Sequence, residues 1–123
     1  MKEDFYRLFF ELSPVIVVVL DEQGRIEDLN PRACQLLEVK KEEVIGQDWF
    51  DRFMPAEIKE SVREVFRKIM SGYLEPVREL ENEIVAASGK KRLISWRNAY
   101  LKDENGKIVG TISFGTDVTK ERL

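Results

Sequence analysis

Residues 92–119 read RLISWRNAYLKDENGKIVGTISFGTDVT, and this stretch decides the fold. Apolar and polar side chains alternate on both sides of residues 103–106, which are rich in turn-forming types. Because alternation with a period of two is typical of β-strands, the pattern predicts a strand over residues 91–101, a tight turn, and a second strand over residues 107–116. Asp117 and Thr119 then end the second strand, since their side chains satisfy backbone donors at strand ends and helix N-caps.

The chain before this hairpin predicts three more strands and several helices. The β-branched run at residues 15–20, the polar turn at 21–24 and residues 25–29 predict a first hairpin, and residues 78–86 predict the third strand. Asn30 is an expected N-cap with Pro31 at the first helical position, and apolar spacing predicts one long helix over residues 55–71. Strands that pair locally at both ends of the chain favour an α+β fold, with an antiparallel sheet and helices grouped on one face.

Six short motifs stand in one order along residues 13–119. They are Val19-Leu20-Asp21-x-x-Gly24-Arg25-Ile26, Asn30-Pro31-x-Ala33-Cys34-x-Leu36-Leu37, Glu43-Val44-Ile45-Gly46-x-Asp48-Trp49-Phe50, Glu81-Asn82, Ile94-Ser95-Trp96-Arg97-Asn98 and Asp117-Val118-Thr119. Each motif alone is weak, but the ordered set resembles the PAS (S-box) sensory family, of the kind found in bacterial and archaeal sensor histidine kinases and diguanylate cyclases.

The resemblance implies a five-stranded antiparallel sheet in the spatial order 2-1-5-4-3. Helices would pack over one face and enclose a small pocket, and an N-terminal helix would cover or flank the other face. The implied division is a flanking and dimerisation helix over residues 1–12, a PAS core over 13–119, and the start of an exit helix over 120–123. In this family such a domain leads into a separate output domain, so a kinase or cyclase type of output is the expected partner.

Composition limits the function further. The chain has 123 residues, 43% of them hydrophobic, which suits one domain with one core. Its 35% charged residues give a net charge of only −3 and form no basic stripe, so nucleic acid is not an expected partner. No apolar run approaches the roughly 20 residues that span a bilayer, so no direct membrane insertion is expected. The single cysteine suggests a reducing compartment, and we expect a cytoplasmic location.

The absence of histidine removes several kinds of chemistry. It excludes Ser-His-Asp and Cys-His catalytic sites and haem held by a proximal histidine, and zinc lacks its usual ligands. The resemblance places the reactive cysteine of light-sensing flavin domains just after Gly46-Gln47, where this chain has none, so a cysteinyl-flavin is excluded and Cys34 is expected to be a small buried residue.

We predict no enzyme activity, no metal site and no assured cofactor. A small organic ligand such as a carboxylate stays open. Arg97, Arg78 or Arg63 could be its positive partner, although arginines of this kind are more often solvated surface residues.

Three sets of residues are candidate functional sites. Alternation along the strands separates two faces, and the resemblance to flavin-binding relatives implies that the face of Trp96 points toward the long helix. An apolar cavity with a few convergent polar groups is what a ligand site looks like; the alternative is that the same residues are packed core. The Asp117-x-Thr119 end is a candidate signal-transfer joint, or simply a cap. The apolar face of the N-terminal helix needs cover, and we expect a homodimer interface there. The pocket candidates are Trp96, Asn98, Asn82, Thr111, Ser113, Ile84 and Phe66, and the dimer candidates are Phe5, Leu8, Phe9 and Leu12.

The resulting prediction is a sensory input module in signal transduction. It would couple small-ligand binding or dimer packing to a downstream output domain. The alternative is a ligand-free module for dimerisation or protein interaction, in which the pocket candidates only pack the core.

Overall fold

The computed structural model describes the backbone of residues 2–122, and their side chains apart from those of residues 2, 3 and 76. Residues 1 and 123, which belong to the predicted N-terminal and exit segments, lie outside the described residues. The helices are α1 (Lys2–Leu12), α2 (Pro31–Leu37), α3 (Lys41–Val44), α4 (Trp49–Phe53) and α5 (Lys59–Met70). The strands are β1 (Ile16–Asp21), β2 (Ile26–Leu29), β3 (Glu79–Val85), β4 (Lys91–Lys102) and β5 (Ile108–Asp117), and a short 3₁₀ turn, Glu75–Val77, precedes β3.

The five strands form one antiparallel sheet in the order β2-β1-β5-β4-β3, which confirms the predicted fold. In the central rows Ile16 pairs with Gly115 and Gly115 pairs with Trp96, so these residues point to the same face. A Cβ on Gly115 would lie 2.6–2.8 Å from atoms of Ile94, Ile16 and Trp96. Only glycine therefore fits at this crowded point of the inner face.

The inner face of the sheet and helices α2, α4 and α5 enclose the core. Ile84 and Ile94 from the sheet and Phe53 and Leu37 from the helices are fully buried there. Asn30 caps α2 as predicted: its Oδ1 accepts hydrogen bonds from the backbone N–H of Ala33 at 3.0 Å and of Val17 at 2.9 Å. This buried side chain therefore ties the start of α2 to the first strand.

The predicted long helix is shorter than its sequence suggested. The expected span was residues 55–71, but α5 begins at Lys59. Residues 55–58 instead form a turn closed by a 3.2 Å hydrogen bond from the Ile58 N–H to the Pro55 carbonyl. Burial of the preceding Met54, which is 7% exposed, holds the chain in an extended conformation just before this turn. Packing of Met54 thus delays the helix by about one turn.

Candidate functional site

A cavity of about 50 Å³ lies between the inner face of the sheet and the helices α4 and α5. The strands contribute its floor and most of its polar groups, because residues of one parity along β3, β4 and β5 all point inward. The helices contribute an apolar roof. The residues that line it are Val18, Leu20, Trp49, Phe50, Met54, Val62, Val65, Phe66, Ile69, Leu80, Asn82, Trp96, Asn98, Thr111 and Ser113.

Two of the polar residues are joined in a hydrogen-bonded chain. The Ser113 hydroxyl donates to Asn98 Oδ1 at 2.7 Å, and Asn98 Nδ2 donates to the Val77 carbonyl at 2.9 Å. Asn98 is only 8% exposed, so these bonds offset the cost of burying its amide. The Ser113 hydrogen is committed to Asn98, but its oxygen keeps lone pairs that can accept a further bond.

Thr111 differs from its neighbours because its hydroxyl makes no hydrogen bond to any residue that the structure describes, although the residue is only 2% exposed. No fully enclosed side-chain nitrogen or oxygen in the described part of the chain lacks a partner. Because the Thr111 hydroxyl has no partner among the described residues, it is not one of these fully enclosed atoms, and it is the part of Thr111 that the cavity exposes. It offers a neutral donor and acceptor within a largely apolar cavity.

Six of the seven predicted pocket residues do line the cavity. The exception is Ile84, which points inward but is fully buried in the core and does not line the cavity. Asn82 is half-buried, and its Nδ2 donates to the Glu83 carbonyl at 2.9 Å and lies 3.6 Å from Met54 Sδ. Strand parity together with the family resemblance brought the strand residues of this set together, and Phe66 comes from the apolar face of α5.

Sequence reasoning missed most of the roof. Trp49, on α4, packs edge-on against Trp96 with ring centroids 6.2 Å apart, and Phe50 packs on Phe66 at 5.5 Å. The aromatic run at residues 48–53 was a visible signal, but a short helix with aromatic residues on several sides does not reveal which ring faces the cavity. Leu80 was missed for a different reason, since it lies near the start of an irregularly alternating strand.

Arg63 fastens the two roof helices to each other. From α5 its guanidinium donates to Asp48 Oδ2 and Asp51 Oδ1 of the α4 region, each at 3.0 Å, and lies 5.1 Å from the centroid of the Phe50 ring. Burial alone would lower the pKa of Arg63, but the hydrogen bond and charge of Asp48 and the charges of Asp51 and Glu60 outweigh it and raise that pKa. The charged Arg63 side chain thus links α5 to the α4 region above the apolar cavity.

None of the three arginines that could have met a carboxylate lines the cavity. Arg63 faces Asp48 and Asp51, Arg78 pairs with Glu75 at 2.6 Å, and Arg97 pairs with Glu79 on the opposite face of the sheet. No charged side chain is among the lining residues. The structure thus offers none of these arginines as a positive partner for a carboxylate in this cavity.

The carboxyl end of β5 forms a compact cluster. Asp117 Oδ1 accepts from the Thr119 N–H at 3.0 Å and from its hydroxyl at 2.5 Å, and Asp117 Oδ2 accepts from Arg92 at 2.6–2.7 Å. Thr119 Oγ1 in turn accepts from the Leu93 N–H at 2.9 Å. Burial would raise the pKa of Asp117, but the hydrogen bonds from Thr119 and the bond and charge of Arg92 together hold that pKa below its usual value.

The chain after this cluster forms a turn over residues 119–122 rather than a defined helix. The Arg122 N–H donates to the Val118 carbonyl at 3.2 Å, which is the bond of one helical turn. The Arg122 guanidinium also meets both carboxylate oxygens of Glu81 on β3, at 2.6 and 3.2 Å. The predicted exit helix over 120–123 stays a prediction.

The apolar face of α1 is open. Phe5, Leu8, Phe9 and Leu12 are 57%, 56%, 60% and 72% exposed. They line a groove of about 370 Å³ together with Ser13 and Pro14. The helix contacts α2, and Lys41 Nζ at the start of α3 lies 6.0 Å from the centroid of the Phe10 ring. The predicted dimer residues therefore share one exposed surface, and their role stays a prediction.

Cys34 lies half-buried on α2 and packs against the core. Burial raises the pKa of its thiol, which keeps it in the poorly reactive protonated form. It does not line the cavity. Within residues 2–122, no helix is long and apolar enough to cross a membrane.

A model of the PAS fold family matches residues 10–123 of this chain. The chain therefore belongs to the PAS family, whose domains are sensory modules. The PAS domain of a protein from Colwellia psychrerythraea superimposes with a TM-score of 0.81 at 21% identity, and the match covers 98% of this chain and 99% of that one. This solved structure confirms the fold.

Two further relatives come from signalling proteins. Cyclic di-GMP phosphodiesterase PdeR of Escherichia coli (strain K12) is 32% identical over 110 residues, which make up 86% of this chain. The chain spans about a sixth of the length of PdeR, since the match covers 16% of it. The Cronobacter turicensis RpfR quorum-sensing receptor PAS domain, solved in complex with C12:0, has a TM-score of 0.69 at 28% identity, over 87% of this chain and 96% of that one.

Proposed function

We propose that this PAS domain is a sensory input module that binds a small organic molecule in the cavity under α4 and α5 and couples that binding to an output domain. The observation that carries the proposal is the free Thr111 hydroxyl in a largely apolar cavity, beside the Ser113–Asn98 pair. Apolar walls with a few convergent polar groups are characteristic of small-molecule sites. The related RpfR PAS domain, solved in complex with C12:0 and with BDSF, supports ligand binding at the level of the family.

Coupling would run along β5. This strand carries Thr111 and Ser113 in the cavity and reaches Asp117 at its carboxyl end. A ligand that binds one arrangement of the roof and sheet better than another shifts the populations of the two arrangements. A shift of β5 relative to β4 would change the Arg92–Asp117 pair and hence the path of the chain beyond Thr119. Asp117 and Thr119 would then act as the signal-transfer joint.

The output domain would be of a kinase or cyclase type. The likeness to PdeR, a cyclic di-GMP phosphodiesterase, adds enzymes of cyclic di-GMP turnover to that range. In this proposal the domain itself turns over no substrate and works in the cytoplasm. An assay of the isolated domain for turnover should accordingly give none.

The same module would work as a homodimer through the open face of α1. Four large apolar side chains on one terminal helix form a surface of the kind that marks an interaction site. Phe9→Glu places a charge at its centre and should give a folded monomer by analytical ultracentrifugation. Arg7→Glu, on the opposite side of the helix, should leave the dimer intact. A Phe9→Glu protein that still dimerises would place the interface elsewhere.

A ligand-free interaction module is the second candidate, and one observation favours it. The cavity measures about 50 Å³, whereas sites for drug-sized ligands occupy roughly 300–1,000 Å³. In this reading Asn98 and Ser113 serve only to satisfy each other in the core.

Ligand binding can be separated from the ligand-free reading by native mass spectrometry and a thermal-shift screen of metabolites. The first candidate expects a co-purifying species, or stabilisation by several degrees from one chemical class. Val65→Phe fills the cavity from α5 and should abolish that stabilisation. Val85→Phe makes the same change outside the cavity lining and should preserve it. If no compound of a broad library stabilises the domain and no species co-purifies with it, the ligand-free module is the remaining candidate.

A further inference from the structure

We propose that the cavity selects an uncharged small molecule with one hydrogen-bonding group, and that the Thr111 hydroxyl anchors that group. This rests on the proposed function, because it names the ligand class of the same cavity. It also makes Thr111 a specificity-determining residue.

The exclusion of charge follows from the lining. All of the lining side chains are neutral. The three arginines considered above as partners for a carboxylate ligand, Arg63, Arg78 and Arg97, are each paired with carboxylates of the protein. A carboxylate or ammonium placed among these neutral side chains would lose part of its hydration and gain no counter-ion. Burying an unpaired charge is far more costly than burying a neutral polar group. The cavity therefore discriminates against ionised molecules.

Among the hydroxyls that line the cavity in the described part of the chain, that of Thr111 has no hydrogen-bond partner. One N–H of the Asn98 amide bonds to the Val77 carbonyl at 2.9 Å, and the Ser113 hydrogen bonds to Asn98 Oδ1 at 2.7 Å. The Thr111 hydroxyl is unengaged and can donate or accept. Ser113 lies two residues further along the same inward face of β5, and its oxygen can only accept a further bond. A carbonyl, hydroxyl or amide group matches this pair, and Trp96, Phe66 and their apolar neighbours surround the rest of the molecule.

The size of the cavity limits the length of the ligand. About 50 Å³ corresponds to roughly three to five water-sized spheres, since one such sphere needs about 10–15 Å³. A short ketone, alcohol or amide fits this space without moving α5. Longer molecules would require the roof to open.

The test uses three probes with equal numbers of non-hydrogen atoms: butan-2-one, propanamide and propanoate. Each is titrated into the isotope-labelled domain at neutral pH and followed by two-dimensional NMR of the backbone amides. Butan-2-one and propanamide should give saturable shifts centred on Thr111, Ser113 and Trp96. Propanoate, which has nearly the shape of propanamide but carries a charge, should give none at these positions.

The anchor is tested with variants of matched chemistry. Thr111→Val removes the hydroxyl with little change of shape and should weaken the binding of butan-2-one by roughly two- to tenfold, as expected for one hydrogen bond. Thr111→Ser restores the hydroxyl and should recover most of the affinity. Thr116→Val makes the same change on the exposed side of the same strand and should have no effect.

The outcomes separate this inference from the proposed function. Propanoate that binds at Thr111 as tightly as propanamide would overturn the neutral class while leaving a ligand cavity in place. Equal affinity of the Thr111→Val and Thr116→Val proteins would overturn the anchor. Absence of saturable shifts with all three probes would overturn the inference itself. The proposed function fails only if, in addition, no metabolite in the screen stabilises the domain.

Discussion

Arg63→Gln should loosen the roof of the cavity more than any other single change on the outer side of α5. The guanidinium holds Asp48 and Asp51 at 3.0 Å each and lies over the Phe50 ring at 5.1 Å. Glutamine keeps part of the side-chain stem but loses the charge and the forked donor geometry. The substitution therefore removes the Arg63 link between α5 and the α4 region. It leaves the apolar contacts of α5 and the Lys59–Asp51 pair at 3.4 Å in place.

The magnitude follows from the exposure of each partner. The Asp48 bond is partly buried, with side chains 19% and 27% exposed, so it should contribute about 1 to 1.5 kcal/mol, near the lower end for a charge-assisted bond. Asp51 is 63% exposed and adds no more than about 0.5 kcal/mol. The contact with the Phe50 ring adds about 0.5 kcal/mol. Arg63→Gln should thus lower the free energy of unfolding by about 2 kcal/mol.

Urea denaturation measures this loss, and amide hydrogen exchange locates it. Exchange should accelerate in α5 and α4 and stay unchanged in the strands far from them. Arg67→Gln is the matched control, because Arg67 lies one turn further along the same helix and pairs with Glu64 at 3.0 Å with both side chains 56% exposed. That control should change stability by less than about 0.5 kcal/mol.

A double-mutant cycle isolates the Arg63–Asp48 pair. Asp48→Asn keeps the Oδ1 atom that accepts from the Phe50 and Asp51 N–H groups at the start of α4, so it removes mainly the charge. The coupling between the two substitutions should reach about 1 kcal/mol and decline at high salt. A coupling near zero, or equal losses of stability from Arg63→Gln and Arg67→Gln, would refute the claim that Arg63 holds α5 to the α4 region.

Two further changes test the parts of the fold that carry the site. Asn30→Ala should lower the free energy of unfolding by about 3 kcal/mol in urea denaturation, because it removes the α2 cap and leaves the Val17 N–H and Val15 carbonyl without their 2.9 Å partners; a loss below about 1 kcal/mol would contradict this. The pKa of Asp117 is lowered by folding, so its contribution is present above the unfolded carboxyl value of about 3.9 and is lost as pH falls from there through the folded value. Asp117→Asn should therefore lower stability at neutral pH and flatten this acid limb, and an unchanged acid limb would show that Asp117 contributes nothing to it.

Much of the fold could be predicted because its signals are local. Alternation along residues 91–116 defined β4 and β5 and their inward parity, and Asn30-Pro31 marked the start of α2. Gly24 marked the turn of the first hairpin, where it has a φ of +81°. Each of these depends on residues a few positions apart, so the chemistry is readable before the chain folds.

The site could be predicted only in part. Of the residues that parity nominated, Thr111, Ser113, Asn98 and Trp96 line the cavity, whereas Ile84 lies in the core beside it. Their part in ligand binding stays a prediction. The 3₁₀ turn that supplies the Val77 carbonyl has no signal in the alternation pattern. Nor could the sequence show that Arg63 serves α4 rather than a ligand, since Asp48 is fifteen residues away along the chain.

The sequence by itself determined the class of fold, the sheet face that carries the polar groups, and the absence of histidine chemistry. Periodicity, caps and composition depend on covalent neighbours, so no structure is needed to read them. Only the tertiary structure decided which polar groups satisfy one another, which one stays free, and how much space is left. Those outcomes depend on side chains from β4, β5, α4 and α5 meeting in three dimensions. A small change in how these side chains pack separates a filled core from a cavity that can hold a ligand.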